Sequence, residues 1–159
     1  MPSRSAGLLL YRRDAGAPRV LIVHMGGPFW ARREEGAWSV PKGERPEGED
    51  PLATARREFE EELGRPPPPG VPVELGEYRQ AGGKRVLVFA QEGDFDASAI
   101  TSNELEIEWP PRSGRTVRFP EVDRAEWTDL ATARARLVRG QVPALDDLVR
   151  LIEGAAAST

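Results

Sequence analysis

The chain has 159 residues, with 22 lysines and arginines against 26 aspartates and glutamates, for a formal net charge of −4. This balance argues against an extended nucleic-acid surface, and the length suits one domain, 1–159, with a proper core. The absence of cysteine excludes disulfides and thiolate chemistry, and the single histidine excludes a zinc site built on several histidines.

The N-terminal stretch, MPSRSAGLLLYRR, contains an apolar run too short for a signal peptide or a membrane span. We therefore expect a cytoplasmic protein without a membrane partner. The one histidine, His24, closes the apolar run VLIVH. This position favours a structural role at the end of a strand over catalysis in a Ser-His-Asp arrangement.

Seven stretches have the composition or alternation of β-strands. They are 5–12, 19–24, 71–78, 85–91, 103–109, 115–119 and 121–128. The first two form a predicted hairpin across a turn at 13–18, which contains Asp, Gly and Pro. Residues 103–109, NELEIEW, alternate acidic and apolar side chains, which predicts a half-buried strand with its glutamates on one face.

Three stretches predict helices. They are 51–63, 130–138 and 142–152. Asp50 suits the N-cap of the first helix, Pro51 its first turn and Gly64 a left-handed C-cap, after which four prolines prevent continuation. The terminal segment 154–159 is expected to be frayed. The order of strands and helices predicts an α/β protein with a mixed β-sheet between helices.

The mid-chain helix gathers Glu58, Glu61 and Glu62 within roughly a quarter of its circumference. A separate apolar stripe is formed by Leu52, Ala55, Phe59 and Leu63. Three carboxylates at this spacing are either a solvated acidic face or a site for hard divalent cations such as Mg²⁺, which takes oxygen ligands. Arg57 lies beside Glu61 on the helical wheel and could orient that carboxylate by a paired hydrogen bond.

The stretch from Gly43 to Arg65, GERPEGEDPLATARREFEEELGR, resembles the Nudix box, G-x5-E-x7-R-E-U-x-E-E-x-G-U, in which U is a bulky apolar residue. The matching positions are Gly43, Glu49, Arg57, Glu58, Phe59, Glu61, Glu62 and Gly64. The last position departs from the pattern, because Arg65 stands where an aliphatic residue is usual. The resemblance implies a Nudix α/β/α sandwich with a mixed β-sheet between helices.

The resemblance also implies a Mg²⁺-dependent pyrophosphohydrolase, with Mn²⁺ as a possible substitute ion. The implied metal-site residues are Glu58, Glu61, Glu62, Gly43 and Glu104, and the implied catalytic residues are Glu58, Glu61, Arg57 and Glu106. Nudix enzymes often place a further glutamate outside the box as a metal ligand or general base. Glu104 and Glu106 are the candidates for it, and the alternative for both is a solvated strand face. Glu58 is also a candidate for the general base.

The segment Trp38-Ser-Val-Pro-Lys42 before the box resembles the Nudix branch that acts on dinucleoside polyphosphates and diphosphoinositol polyphosphates. Lys42 is a point charge suited to a polyphosphate. The preceding loop, 25–37, is either an ordinary surface excursion or a lip that stacks a base and binds phosphates. The predicted substrate-binding residues are Trp30, Arg32, Trp38, Lys42, Lys84 and Arg112. For Lys84, a solvated turn charge is equally compatible with the sequence.

The leading expectation is therefore hydrolysis of a dinucleoside polyphosphate such as Ap4A or Ap6A, with water attacking a phosphoanhydride phosphorus. The alternative substrates are a nucleoside triphosphate and ADP-ribose or a nucleotide sugar. Two non-enzymatic alternatives are a nucleotide sensor and an interaction module with a merely acidic helix. The expected partner is a small nucleotide, no nucleic acid is expected, and a homodimer is a possible assembly.

Overall fold

The computed structural model describes residues 4–14 and 16–157. The strands in that part of the chain are β1 (Arg4–Asp14), β2 (Ala17–Met25), β3 (Trp38–Ser39), β4 (Lys42–Glu44), β5 (Val73–Arg79), β6 (Arg85–Glu92), β7 (Glu104–Glu108), β8 (Thr116–Pro120) and β9 (Val122–Asp129). The α-helices described are α1 (Pro51–Leu63), α2 (Leu130–Arg136) and α3 (Pro143–Ala157), with short 3₁₀ turns at Ala81–Gly83 and Arg139–Gln141.

The main sheet is mixed, and its central strands β1 and β2 separate toward one end. β1 pairs with β6 in parallel along one edge, while β2 and β4 pair antiparallel with different parts of its other edge. β2 likewise pairs with β9 along one edge and with β1 and then β3 along the other. The segment 38–44 is therefore inserted between the separated ends of β1 and β2, and β5 completes the sheet beside β6.

Side chains along the central strands alternate between two hydrophobic clusters, one on each face of the sheet. Along β1, Leu8 and Leu10 face α1, whereas Leu9 and Tyr11 face α2 and α3. The α1 side contains the fully buried Ala55, Phe59 and Leu63, and the other side contains Ala133, Leu137, Leu145 and Leu148. This arrangement confirms the α/β/α sandwich with a mixed sheet.

The ends of α1 have the predicted caps. The Asp50 side chain accepts a hydrogen bond from the backbone N–H of Ala53 at 3.1 Å, and Pro51 begins the helix. Gly64 has φ 85°, the left-handed conformation that glycine adopts without strain. Arg65 follows, and its guanidinium lies 4.4 Å from the ring centroid of Phe95, so an arginine stacked on an aromatic ring occupies the usual aliphatic position.

Three expectations about the elements need correction. β7 is not half-buried in the main sheet: it pairs only with β8 among the described strands, and all five of its residues are exposed. The turn at 13–18 is shorter than predicted, because β1 runs to Asp14 and β2 begins at Ala17; Ala15 lies outside the described residues. The tail at 154–159 is helical through Ala157, since alanine is the best helix former, and residues 158–159 lie outside the described part.

No helix in the described part of the chain is long and apolar enough to cross a membrane.

Candidate active site

The box glutamates lie where α1 meets the inserted segment 38–44. Glu58 and Glu62 are nearly buried, at 9% and 4% exposure, while the side chain of Glu61 remains 43% exposed. The backbone N–H of Lys42 points at Glu62, with 3.3 Å between the nitrogen and Oε2. The sequence therefore places two carboxylates inside the protein, a costly position that demands compensation from neighbouring groups.

Arg57 ties three carboxylates together. Its Nη2 donates to Oε1 of Glu49 at 2.9 Å, and its Nη1 donates to Oε1 of Glu58 and to Oε1 of Glu61, both at 3.1 Å. The hydroxyl of Thr54 also donates to Glu49. These contacts, with the Arg57 hydrogen bond as the main cause, lower the pKa of Glu49 below its ordinary value. Arg57 therefore orients three of the box glutamates, whereas the sequence predicted this contact for Glu61 only.

Gly43 allows the close approach of β4 to α1. A side-chain carbon built at Gly43 would coincide with the carboxylate of Glu58. Residues other than glycine therefore do not fit here unless Glu58 moves. The strand and the helix thus pack through a backbone–carboxylate contact at the centre of the site.

A further carboxylate, Glu121, belongs to the residue just before β9. The Asn103 side-chain amide donates to its Oε1 at 2.9 Å, and the backbone N–H of Asn103 donates to the carbonyl oxygen of Glu61 at 2.9 Å. Asn103 therefore joins the end of α1 to Glu121. Sequence reasoning missed both residues, because the pattern of 121–128 indicated only a strand and gave no sign that its first residue reaches α1.

The negative charges destabilise one another. Burial is the main cause that raises the pKa of Glu58, followed by the charge of Glu61, and Glu121 adds to it. Burial likewise raises the pKa of Glu62 well above its ordinary value, and the charge of Lys42 opposes this shift. The site therefore holds more negative charge than its own lysine and arginine neutralise, as expected of a place that binds cations.

The donor set fits a hard divalent cation by its chemistry, because it consists of carboxylate oxygens in a region short of positive charge. Within 4–14 and 16–157, however, no three acidic or histidine side chains already converge in the manner of a metal cluster. The box glutamates would have to rotate to share an ion, and the contacts of Arg57 with Glu58 and Glu61 are the ones that would change.

A cavity of about 260 Å³ opens beside these carboxylates. Its polar lining includes Lys42, Glu62, Glu121 and Ser39. Most of its apolar lining comes from the 25–37 loop and from the β7–β8 hairpin. The apolar side chains are Met25, Phe29, Trp30, Leu105, Ile107 and Phe119 together with Val23 and Val122 of the sheet. A charged end next to an aromatic pocket suits a ligand with phosphates and a flat ring system.

The structure brings some of the predicted site residues together. Glu58 lies against Gly43, Glu62 lies at the backbone N–H of Lys42, and Arg57 joins Glu61 to Glu58. Lys42 and Trp30 line the cavity. For the loop 25–37, this favours the functional interpretation over an ordinary surface excursion.

Other predicted residues do not line the cavity. Trp38 is fully buried on the opposite face of the sheet, so its side chain cannot touch a substrate. Glu104 and Glu106 alternate with the cavity-lining Leu105 and Ile107 and therefore face away, and Glu106 pairs with Arg118 at 3.4 Å. The other three are found elsewhere on the surface or in turns: Arg32 exposed in the loop, Lys84 after the turn at Ala81–Gly83, and Arg112 at the β7–β8 turn.

His24 has the structural position expected of it. It is fully buried, and its ring nitrogens lie 2.7 Å from Asp123 and 2.7 Å from the carbonyl oxygen of Arg33.

The chain is similar to parts of two curated proteins. The chain is 32% identical over 139 residues to an octanoyltransferase of Myxococcus xanthus, covering 86% of this chain and 33% of that protein. It is 45% identical over 65 residues to an RNA pyrophosphohydrolase of Rhodospirillum rubrum, covering 40% of this chain and 38% of that protein. The matches thus span less than two fifths of the length of these relatives.

Solved structures share the fold. The Ap4A hydrolase of C. elegans, in a binary complex, superposes with a TM-score of 0.68 at 21% identity, over 96% of this chain and 98% of that one. The NUDIX domain of Shewanella oneidensis NrtR, complexed with ADP ribose, has a TM-score of 0.64 at 16% identity, over 96% and 89%. A mutT/nudix family protein from Listeria innocua has a TM-score of 0.65 at 16% identity, over 100% and 99%.

The family model of the NUDIX domain matches residues 1–148, which include the whole of the box and the strands and helices around it. With this match and the shared fold, the chain belongs to the NUDIX domain family.

Proposed function

We propose that the protein is a divalent-metal-dependent pyrophosphohydrolase that cleaves a phosphoanhydride in a nucleoside diphosphate linked to a further group. The observation that carries the proposal is that the two ends of the cavity differ in chemistry. Buried, mutually repelling carboxylates with Lys42 beside them form one end of a cavity whose other walls are apolar and aromatic. Phosphates and ions suit the first part, and a nucleobase suits the second.

Each residue has a proposed role. Glu58, Glu61 and Glu62 would hold Mg²⁺ or Mn²⁺, and Gly43 permits the close packing of backbone on which their positions depend. Such ions, when bound, neutralise diphosphate oxygens and make a coordinated water more acidic. Arg57 and Glu49 orient the carboxylates, and Lys42 meets the phosphate chain.

A glutamate must accept the proton of the attacking water. Glu121 joins Glu58 as a candidate for this role, because its charge acts on both Glu58 and Glu62 and its Oε1 is fixed by Asn103. Glu104 and Glu106 lose support as general bases, since their side chains face away from the cavity.

Dinucleoside polyphosphates are the leading substrates. Lys42 in the cavity lining supports this class, as does the fold shared with an Ap4A hydrolase. The alternatives are nucleoside triphosphates, ADP-ribose or nucleotide sugars, and the 5′ end of an RNA, the last because of the partial match to an RNA pyrophosphohydrolase. A cytoplasmic location and a homodimer stay predictions.

The test is an assay of the purified protein with Mg²⁺, then Mn²⁺, against one representative of each class, with products separated by ion-exchange chromatography. Conversion of a dinucleoside polyphosphate to two mononucleotides, abolished by EDTA, is the expected result. Turnover of another compound would support phosphoanhydride hydrolysis but would show that dinucleoside polyphosphates are not the preferred substrates. If neither ion supports turnover of any compound, a nucleotide-binding sensor becomes the favoured alternative.

Arg57 provides a separate prediction. Arg57→Lys keeps the positive charge but cannot reach Glu49, Glu58 and Glu61 at once, because an ammonium is a point charge rather than a planar fork. We expect kcat to fall by about 10- to 100-fold with little change in KM. Arg56→Lys, on the exposed side of the same helix, is the matched control and should keep full activity. Equal rates for the two variants would remove Arg57 from the catalytic machinery.

A further inference from the structure

His24 is held between two hydrogen-bond acceptors. Its Nδ1 lies 2.7 Å from Oδ1 of Asp123, and its Nε2 lies 2.7 Å from the backbone oxygen of Arg33. Neither a carboxylate nor a carbonyl has a proton to donate. A neutral imidazole has one N–H and one lone pair, so it can satisfy only one of these partners. The ring that satisfies both carries two N–H groups and a positive charge.

The surroundings of the ring allow this charge. The ring contacts Asp123 from β9 and the backbone of Arg33 from the 25–37 loop. Around the Trp38 indole, which the imidazole touches, lie Glu34 of the same loop, Arg124 of β9 and Arg136 of α2. Arg124 pairs with Glu34 at 2.8 Å and approaches Asp123 at 3.8 Å, while Arg136 pairs with Glu126 at 2.6 Å and with Glu34 at 3.8 Å. Glu34 and Glu126 thus match the two arginines in charge, which leaves Asp123 as the counter-ion of His24. The indole of Trp38 meets the imidazole edge-on, with 5.2 Å between centroids.

The bond to the Arg33 carbonyl connects this pair to the wall of the cavity. The guanidinium of Arg33 lies 4.3 Å from the ring centroid of Phe29 and 5.9 Å from that of Trp30. The two rings also touch edge-to-face at 4.7 Å, and both line the cavity. The backbone N–H of Arg33 donates to the carbonyl of Trp30 at 3.0 Å. The position of Arg33 thus sets the position of the aromatic wall.

We propose that His24 is a positioning residue for the nucleotide pocket: its doubly protonated form fastens the 25–37 loop to β9, and loss of one proton releases the wall formed by Phe29 and Trp30. His24 does not line the cavity, so it acts on ligand binding through the loop and takes no part in bond cleavage. As pH rises, the ring keeps the N–H that bonds the charged Asp123 and loses the one that bonds the Arg33 carbonyl, because hydrogen bonds to ions are the stronger. The wall then loosens, and KM increases while kcat changes less. This kinetic consequence rests on the proposed function; the link between proton and loop does not.

The first measurement is nitrogen-15 NMR of the intact protein from about pH 5 to about pH 8. Because His24 is the only histidine in the chain, its ring signals need no separation from others. We expect two ring N–H groups at the acidic end, one of which disappears as pH rises, together with a shift of the Trp30 indole signal at the same midpoint. A single ring N–H throughout the range would overturn the proposal, as would a His24 transition that Trp30 does not follow.

The second measurement compares Asp123→Asn with the wild type. Asparagine keeps the shape of the side chain but removes the negative charge that stabilises the doubly protonated ring, so both NMR transitions should move to lower pH. The rise in KM should move with it. Glu77→Gln, which removes an exposed carboxylate paired with Arg85 on distant strands, is the matched control and should leave both midpoints unchanged. An unchanged midpoint in Asp123→Asn would refute the ion pair as the source of the effect.

The hydrolysis assays and the NMR titration distinguish the proposed function from the proposed role of His24. An absence of hydrolysis in every assay refutes the proposed function but leaves the NMR transitions intact. Active enzyme with a KM that ignores the His24 midpoint refutes the role of His24 and leaves the proposed function standing.

Discussion

Glu62→Gln is expected to lower kcat by about 10²- to 10³-fold and, at the same time, to make the metal-free protein more stable at pH values above the folded-state pKa of Glu62. The loss of activity follows from removing a charged oxygen donor beside Lys42 at the head of the cavity. The gain in stability follows from removing a carboxylate that is 4% exposed and surrounded by like charges. A side chain retained at a cost to stability is one that function requires.

The pH dependence of this stability has a definite sign. Burial raises the pKa of Glu62 in the folded protein above its value in the unfolded chain. The folded state therefore binds the proton more tightly, and the wild type is most stable relative to the variant below the unfolded-state pKa. That advantage is lost as pH rises through the folded-state pKa. Above this window the variant should be the more stable protein, and the wild type should regain its relative stability at acidic pH.

Urea denaturation across pH, in EDTA, measures this difference directly. Adding Mg²⁺ should then stabilise the wild type more than the variant, because a bound cation relieves the repulsion that glutamine has already removed. Glu60→Gln, an exposed glutamate on the same helix, is the control and should change neither activity nor the pH dependence. An active Glu62→Gln protein, or one that is less stable at alkaline pH, contradicts the assignment of Glu62.

Gly43→Ala is expected to reduce kcat/KM by about 10- to 100-fold, the range that follows from misplacing a reacting group by about 1 Å. The added methyl group would occupy the position of the Glu58 carboxylate, so Glu58 must turn away or β4 must move from α1. The half-saturating concentration of Mg²⁺ should rise in parallel, because a displaced carboxylate is a poorer ligand.

Glu44→Ala tests the specificity of this effect at the next position of β4. Its side chain is exposed, so the substitution should leave the Mg²⁺ dependence as in the wild type. A Gly43→Ala protein with an unchanged Mg²⁺ titration would show that the contact with Glu58 is unimportant for ion binding.

The sequence predicted well where local spacing decides the outcome. The caps of α1 depend on residues within one turn, and Asp50, Pro51 and Gly64 behave as their chemistry requires. The shared face of Glu58, Glu61 and Glu62 follows from helix geometry alone. The contact of Arg57 with Glu61 is likewise a separation of four residues.

The sequence predicted less well where distant segments meet. Glu121 joins Glu58 and Glu62 because the loop before β7 binds the end of α1, a contact that no local pattern encodes. The prediction that Trp38 contacts the substrate is wrong, because strand alternation turns its side chain into the core and leaves its neighbour Ser39 facing the cavity. The prediction for Glu106 is wrong for the same reason, since its strand presents the other face to the cavity.

The β7–β8 hairpin is the part of the cavity wall through which the ligand preference of the protein could change. It contributes Leu105, Ile107 and Phe119 to the cavity wall but forms no strand pairing with the main sheet among the described residues. The box glutamates, in contrast, are fixed by α1 and β4, and Asn103 and Glu121 are paired with each other at the two ends of the hairpin. Ligand selection thus depends on a segment that begins and ends at this pair. The hairpin can be exchanged for another of different length or sequence, provided that Asn103 and Glu121 are kept.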